Sequence, residues 1–168
     1  MKETTCCFFG HRKIDNTPEL KAKLPEVIEK LISEENITTF LFGSKSEFDA
    51  LCHEAVTEIK KKYPHIKRIY VRAEYPYIDD NYKNYLLKDY EDTYFPEQII
   101  SAGKAVYVER NQYMIDNSSV CITYCDLNYT PSCRKNTGSV LTDRHTKSGT
   151  KIAYEYAVKK GARIINLK

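Results

Sequence analysis

The chain has 168 residues and a formal net charge of +3. That length predicts a single domain over residues 1–168, large enough to bury a core without disulfides or metals. No apolar run is long enough to cross a bilayer, and the weak positive charge favours a small anionic ligand over a nucleic-acid duplex. Composition therefore argues against membrane-embedded and duplex-binding proteins.

Strands and helices are predicted to alternate along the chain. Apolar runs predict five strands, at residues 4–9, 38–42, 66–71, 119–124 and 163–167. Helical spacing of apolar residues predicts four helices, at residues 17–34, 46–62, 104–117 and 150–160. This alternation is typical of an α/β fold, with a mainly parallel sheet of about five strands covered by helices on both faces.

Two of the predicted strands end in glycine turns. The first strand runs into Gly10-His11-Arg12, and the second into Gly43-Ser44-Lys45, with Asp49 in the helix that follows. Ligands of parallel sheets bind at the carboxyl ends of the strands, and free backbone N–H groups at such turns suit an anion. The alternative is structural, with Ser44 or Ser46 capping the second helix.

Two polar segments interrupt the regular pattern. Residues 73–103 are rich in tyrosine and are predicted to form a functional loop or a lid. Their rings suit core packing, a subunit interface or stacking on a base, and the sequence does not separate these roles. A second, basic loop at residues 127–147 leads to Ser148-Gly149-Thr150, which opens the last predicted helix.

The six cysteines are predicted to be reduced thiols. The first residues do not resemble an export signal, so we expect a cytoplasmic protein in which disulfides are rare. The cysteine spacing does not match common zinc-binding patterns. No metal and no cofactor are therefore predicted.

Several short motifs together resemble the YpsA-like branch of the SLOG superfamily. They are the segment from Cys7 to Arg12, the turn Phe42-Gly43-Ser44 with Phe48-Asp49, the helix from Arg110 to Ser118, and Ser148-Gly149-Thr150 with Ala153 and Ala157. The superfamily includes the Lonely Guy phosphoribohydrolases, the DNA-processing protein DprA and nucleotide-sensing domains of bacterial antiviral effectors. The resemblance implies a Rossmann-like fold whose strand ends form a pocket for nucleotides or nucleotide-derived signals.

The resemblance also implies where a ligand would bind. Gly10, His11 and Arg12 would border the pocket on one side. Gly43, Ser44 and Asp49 would form its floor, and Ser148, Gly149 and Thr150 would hold phosphate at a helix start. The predicted set of ligand-binding residues is completed by Lys45, Arg110 and Asn111.

The sequence departs from the Lonely Guy enzymes at the segment that carries their catalytic acid. Those enzymes have a Pro-Gly-Gly-x-Gly-Thr motif with an acid just after it, whereas residues 145–153 have neither. Glu155 is the first acid in this region, more than a helical turn beyond the start of the predicted helix. Glu155 and Asp49 are the catalytic candidates, and cleavage by the Lonely Guy route is not favoured.

Three functions follow from these features. The first is binding of a nucleotide-derived small molecule, either ADP-ribose-like or a cyclic nucleotide signal. The protein would then act as a sensor, or it would sequester an immune signal in phage–bacterial conflict. The second is a nucleotide N-glycosidase or hydrolase. The third is single-stranded DNA binding through the basic loop, which the modest net charge does not favour. A homo-oligomer is expected from the resemblance.

Overall fold

The computed structural model describes residues 2–129 and 147–168. Within them lie six strands: β1 (Thr5–Gly10), β2 (Thr39–Phe42), β3 (Lys67–Val71), β4 (Asp92–Tyr94), β5 (Val120–Tyr124) and β6 (Arg163–Asn166). The same residues form five α-helices: α1 (Pro18–Glu35), α2 (Glu47–Lys60), α3 (Asp80–Leu86), α4 (Val106–Asp116) and α5 (Gly149–Lys159). Short 3-10 helices cover Lys2–Thr4, Glu97–Ile99 and Gly103–Ala105.

All six strands form one parallel sheet in the order β4-β3-β2-β1-β5-β6. Helices α1 and α2 pack on one face, where Phe8 and Phe42 lie in the same core as Leu24 and Val56. Helices α4 and α5 cover the other face, which includes Phe9 of β1. Successive residues of β1 are thus buried on opposite faces, as in a parallel sheet covered on both sides. The predicted three-layer, Rossmann-like α/β class is confirmed.

The predicted number of strands was too small by one. Residues 73–103 were expected to be irregular, but they contain α3 and the short edge strand β4. Strand β4 has only three residues, of which Thr93 alone is buried, so it lacks the apolar run that identifies a strand in sequence. It forms because its backbone pairs with β3, and the Arg72 N–H donates to the Tyr94 carbonyl at 2.8 Å.

The topology gathers the ends of several strands at one edge of the sheet. Strand β1 lies between β2 and β5, so the chain changes direction across the sheet at β1. Open parallel sheets bind ligands beyond their carboxyl ends, near such a point. The segments that follow β1 and the two strands beside it, β2 and β5, therefore form the region in which a site is expected.

Candidate functional site

A cavity of about 380 Å³ opens beyond the carboxyl ends of β1, β2 and β3. Its volume lies in the range of small-molecule pockets, roughly 300–1,000 Å³. Among the described residues, its charged lining comprises four cations and one carboxylate, namely Arg12, Lys45, Arg72, Arg110 and Glu74. Its aromatic lining comprises Tyr70, Tyr75, Tyr82 and Tyr107. The cavity thus combines positive charge with aromatic rings.

The glycine turn after β2 forms one wall of this cavity. Gly43, Ser44 and Lys45 line it, and Gly43 and Ser44 belong to the floor that the resemblance implied. The backbone N–H groups of Gly43 and Ser44, however, donate to Oδ2 of Asp49, at 3.3 and 2.8 Å. These two amides therefore have a carboxylate partner within the protein, in the role that the sequence analysis gave to a bound anion.

Asp49 lies behind the turn and is 3% exposed. Burial raises its pKa to about 6, while the N–H of Ser44 and the charge of Arg110 act in the opposite direction. Ser46 caps α2 by accepting the Asp49 N–H at 3.0 Å, so the capping alternative is confirmed for Ser46. Asp49, one of the two catalytic candidates, is outside the cavity lining and holds the turn in place.

Arg110 joins the ends of β2 and β3 from α4. Its Nη1 donates to the carbonyl oxygens of Gly43 and Val71, the latter at 3.1 Å, and its Nε donates to Oδ1 of Asn111 at 2.9 Å. Arg110 is 3% exposed, and burial lowers its pKa. Gly43 is required for this contact, because a Cβ there would lie 2.8 Å from the guanidinium. Asn111 supports Arg110 and is outside the cavity lining.

Gly10, which ends β1, and the two residues after it have different environments. Arg12 is exposed and lines the cavity, and its guanidinium has no hydrogen-bond partner among the described residues. His11 is buried, and its Nε2 accepts the Asp126 N–H at 2.8 Å, which ties the end of β1 to the segment after β5. Burial lowers the pKa of His11. Gly10 packs against Phe48, whose ring would lie 2.4 Å from a Cβ at this position.

The start of α5 does not line the cavity. Ser148 caps this helix by accepting the Lys151 N–H at 3.1 Å, and a Cβ at Gly149 would meet no atom within 4 Å. Glu155, the other catalytic candidate, pairs with Lys147 at 2.7 Å. Thr150 also lies outside the lining. The structure therefore does not bring these residues together with Arg12 and the turn after β2.

Part of the predicted basic loop lies outside the described residues. Residues 130–146 include Arg134, Lys135, Arg144 and His145, which carried the hypothesis of single-stranded DNA binding. Among residues 2–129 and 147–168, no three side chains of histidine, cysteine, aspartate or glutamate come together to hold a metal. Within those same ranges, none of the helices has the length and apolar character needed to cross a membrane.

Sequence reasoning predicted a functional loop at residues 73–103 but did not identify which residues after β3 line the cavity. Arg72, Glu74 and Tyr75 follow this strand directly and line the cavity, and Tyr82 reaches it from α3. The rule that ligands bind at strand ends was applied to the two glycine turns and could also have been applied to Arg72. Tyr82 was among the tyrosines considered for stacking, but its position in the lining depends on α3, which was not predicted.

Neither a scan against protein-family models nor a search of curated proteins finds a match for this chain.

Proposed function

We propose that the protein binds a nucleotide-derived small molecule, either ADP-ribose-like or a cyclic nucleotide signal, in the cavity beyond β1, β2 and β3. The observation that carries this proposal is the lining itself, in which four cationic side chains and four tyrosines surround one space. Guanidinium groups recognise phosphate through paired hydrogen bonds, and tyrosine rings offer flat faces for a base. A nucleotide carries both of the complementary groups.

We further propose that the ligand is held without being cleaved, as in a sensor or a sequestering protein. Neither Asp49 nor Glu155 lines the cavity, and the one carboxylate that does so among the described residues is Glu74. Two carboxylates placed on either side of a glycosidic bond are the usual requirement for its hydrolysis. A single acid in the lining favours binding over that chemistry.

The first experiment is native mass spectrometry of the purified protein, followed by denaturation and identification of any released molecule. An intact nucleotide derivative supports the proposal, and the intact mass also gives the number of subunits. Free base or ribose 5-phosphate, formed when ADP-ribose or nucleotide monophosphates are added, would replace the proposal with the hydrolase hypothesis. Absence of binding to every probe by calorimetry would contradict both.

Arg12 gives a directed test of the same site. Because Arg12 is exposed and lines the cavity, Arg12→Ala should weaken ADP-ribose binding and leave the melting temperature nearly unchanged. Lys13→Ala is the matched control, since Lys13 is also exposed but pairs with Glu47 at 2.7 Å, outside the lining. Equal affinities of the two variants would argue against this cavity as the site, and a large loss of stability in Arg12→Ala would make Arg12 structural.

We also propose a cytoplasmic homo-oligomer. Beyond the cavity, Tyr77 and Tyr85 are 86% and 61% exposed. Tyrosine is enriched in protein interfaces, where its ring packs and its hydroxyl stays hydrated. If these rings lie in a subunit interface, Tyr77→Ser combined with Tyr85→Ser should lower the subunit number that native mass spectrometry reports.

A further inference from the structure

Two buried arginines line the cavity, and they differ in how their guanidinium groups are bonded. Arg110 is held by the carbonyl oxygens of Gly43 and Val71 and by the side chain of Asn111. Arg72 is 9% exposed, and its Nη1 donates to the carbonyl oxygen of Tyr75. Its Nε is buried and has no hydrogen-bond partner among the described residues. The Nη1 and Nε groups of Arg110 thus have hydrogen-bond partners within the protein, whereas Nε of Arg72 has none among the described residues.

A buried guanidinium with unpartnered N–H groups is unfavourable unless a partner arrives. Removing a charged donor from water costs free energy that only a hydrogen bond or an opposite charge returns. Among the described residues no ion pair includes Arg72, and its burial lowers its pKa. An anion in the cavity would supply the missing partner.

The backbone at Tyr75 orients this arginine. Tyr75 has φ 57°, a left-handed conformation that is uncommon for a bulky residue. In this conformation its carbonyl oxygen accepts from Nη1 of Arg72, while its ring forms part of the cavity lining. Backbone strain of this kind persists where the surrounding structure enforces it, often at ligand sites. The strained turn fixes Nη1 on one side of the guanidinium, and the opposite edge, formed by Nε and Nη2, includes the buried Nε that has no partner among the described residues.

We propose that Arg72 binds the phosphate or pyrophosphate of the ligand through this Nε and Nη2 edge, an assignment that rests on the proposed function for the nucleotide part of the ligand. Such an edge matches two phosphate oxygens, which an ammonium group cannot do. The role differs from the sequence expectation, in which the amides after β2 and the start of α5 held phosphate. Those amides have Asp49 as their partner, and the start of α5 is outside the lining.

The tyrosines beside Arg72 would bind the aromatic base of the ligand. The rings of Tyr75 and Tyr82 lie 6.3 Å apart in an edge-to-face arrangement, and both line the cavity beside Arg72. An aromatic group can therefore pack against tyrosine while the attached phosphate reaches the guanidinium. Phosphate and base contacts are then separable in an experiment, because different residues make them.

The test measures binding of pyrophosphate, adenosine and ADP-ribose to the wild type and to Arg72→Lys by titration calorimetry. The variant keeps the charge but loses the two-pronged edge, so affinity for pyrophosphate and ADP-ribose should fall about 10- to 100-fold, as expected for hydrogen bonds to a charged group. Adenosine affinity should not change. Arg68→Lys is the matched control, because Arg68 lies on β3, the strand that Arg72 follows, but pairs with Glu91 at 2.7 Å, outside the lining.

A measurement on the wild type keeps the inference testable if Arg72→Lys does not fold. Pyrophosphate should shift the Nε–H resonance of Arg72 in a nitrogen-edited NMR spectrum and slow its exchange with water, whereas adenosine should do neither. The inference is overturned if a folded Arg72→Lys binds pyrophosphate as tightly as the wild type, or if pyrophosphate leaves the Arg72 resonance unchanged. In either case, the proposed function still stands if the wild type binds ADP-ribose. Arg72-dependent binding of pyrophosphate without binding of ADP-ribose supports the inference and contradicts the proposed function. Binding of no probe contradicts both.

Discussion

The stability of the turn after β2 should depend on pH through Asp49. Burial raises the pKa of this carboxyl from 3.8 to about 6 in the folded protein. An unfolded chain ionises the group near its ordinary pKa, so the stability that Asp49 contributes is fully present below about pH 4 and is lost as the pH rises through about 6. A difference of roughly two pKa units corresponds to about 3 kcal/mol. The folded protein should therefore lose about that much as Asp49 ionises.

Asp49→Asn is the perturbation that isolates this effect. The amide keeps an oxygen for the N–H groups of Gly43 and Ser44 but does not titrate. Urea unfolding of both proteins from about pH 4 to about pH 7 should show the wild type losing about 3 kcal/mol relative to the variant. Ser46→Ala, which removes the cap of the same helix, should cost about 1 kcal/mol at every pH. We reason that burial raises the pKa of Asp49 more than its hydrogen bonds and the charge of Arg110 lower it. This would be refuted if the difference in unfolding free energy between wild type and Asp49→Asn did not change with pH, or changed in the opposite direction.

Three further substitutions test the glycine turn after β2 and the start of α5. Gly43→Ala should destabilise the protein by about 1–3 kcal/mol in thermal and urea unfolding, because its Cβ would crowd the buried guanidinium of Arg110 at 2.8 Å. Gly149→Ala is its control: with no atom within 4 Å of the added Cβ, it should leave stability unchanged or raise it by up to about 1 kcal/mol. Ser148→Ala should lower the free energy of unfolding by about 1 kcal/mol, because it removes the cap of α5, and it should leave ADP-ribose affinity unchanged. Reduced affinity in the folded variant would indicate that the start of α5 belongs to the binding site.

The sequence predicted the secondary structure well where apolar residues repeat over a long segment. Thr17 caps α1 and Pro18 begins it, as the pattern of that helix predicted. Such signals are local, because capping and periodicity depend on residues within a few positions of each other. Strand β4 was missed because it depends on pairing with β3 for its existence. Helix α3, which precedes it, was also missed.

The candidate site was predictable only in part. Arg12, Gly43, Ser44, Lys45 and Arg110 were expected in the pocket and do line the cavity. Their common signal is position, since most of them follow a strand that runs toward the same edge of the sheet. The nucleotide ligand and the SLOG resemblance stay predictions that the experiments above can test.

By itself, the sequence determined the α/β class and the edge of the sheet at which a ligand is expected, since both follow from the order of strands, turns and helices along the chain. Only the tertiary structure decided which polar groups are left for that ligand. Asp49 accepts the two amides of the turn after β2, and Arg110 is occupied by carbonyl oxygens, whereas Arg72 keeps an unpartnered edge. Hydrogen-bond partners are chosen in space among residues distant in sequence, so no local pattern reveals which donors the fold itself uses.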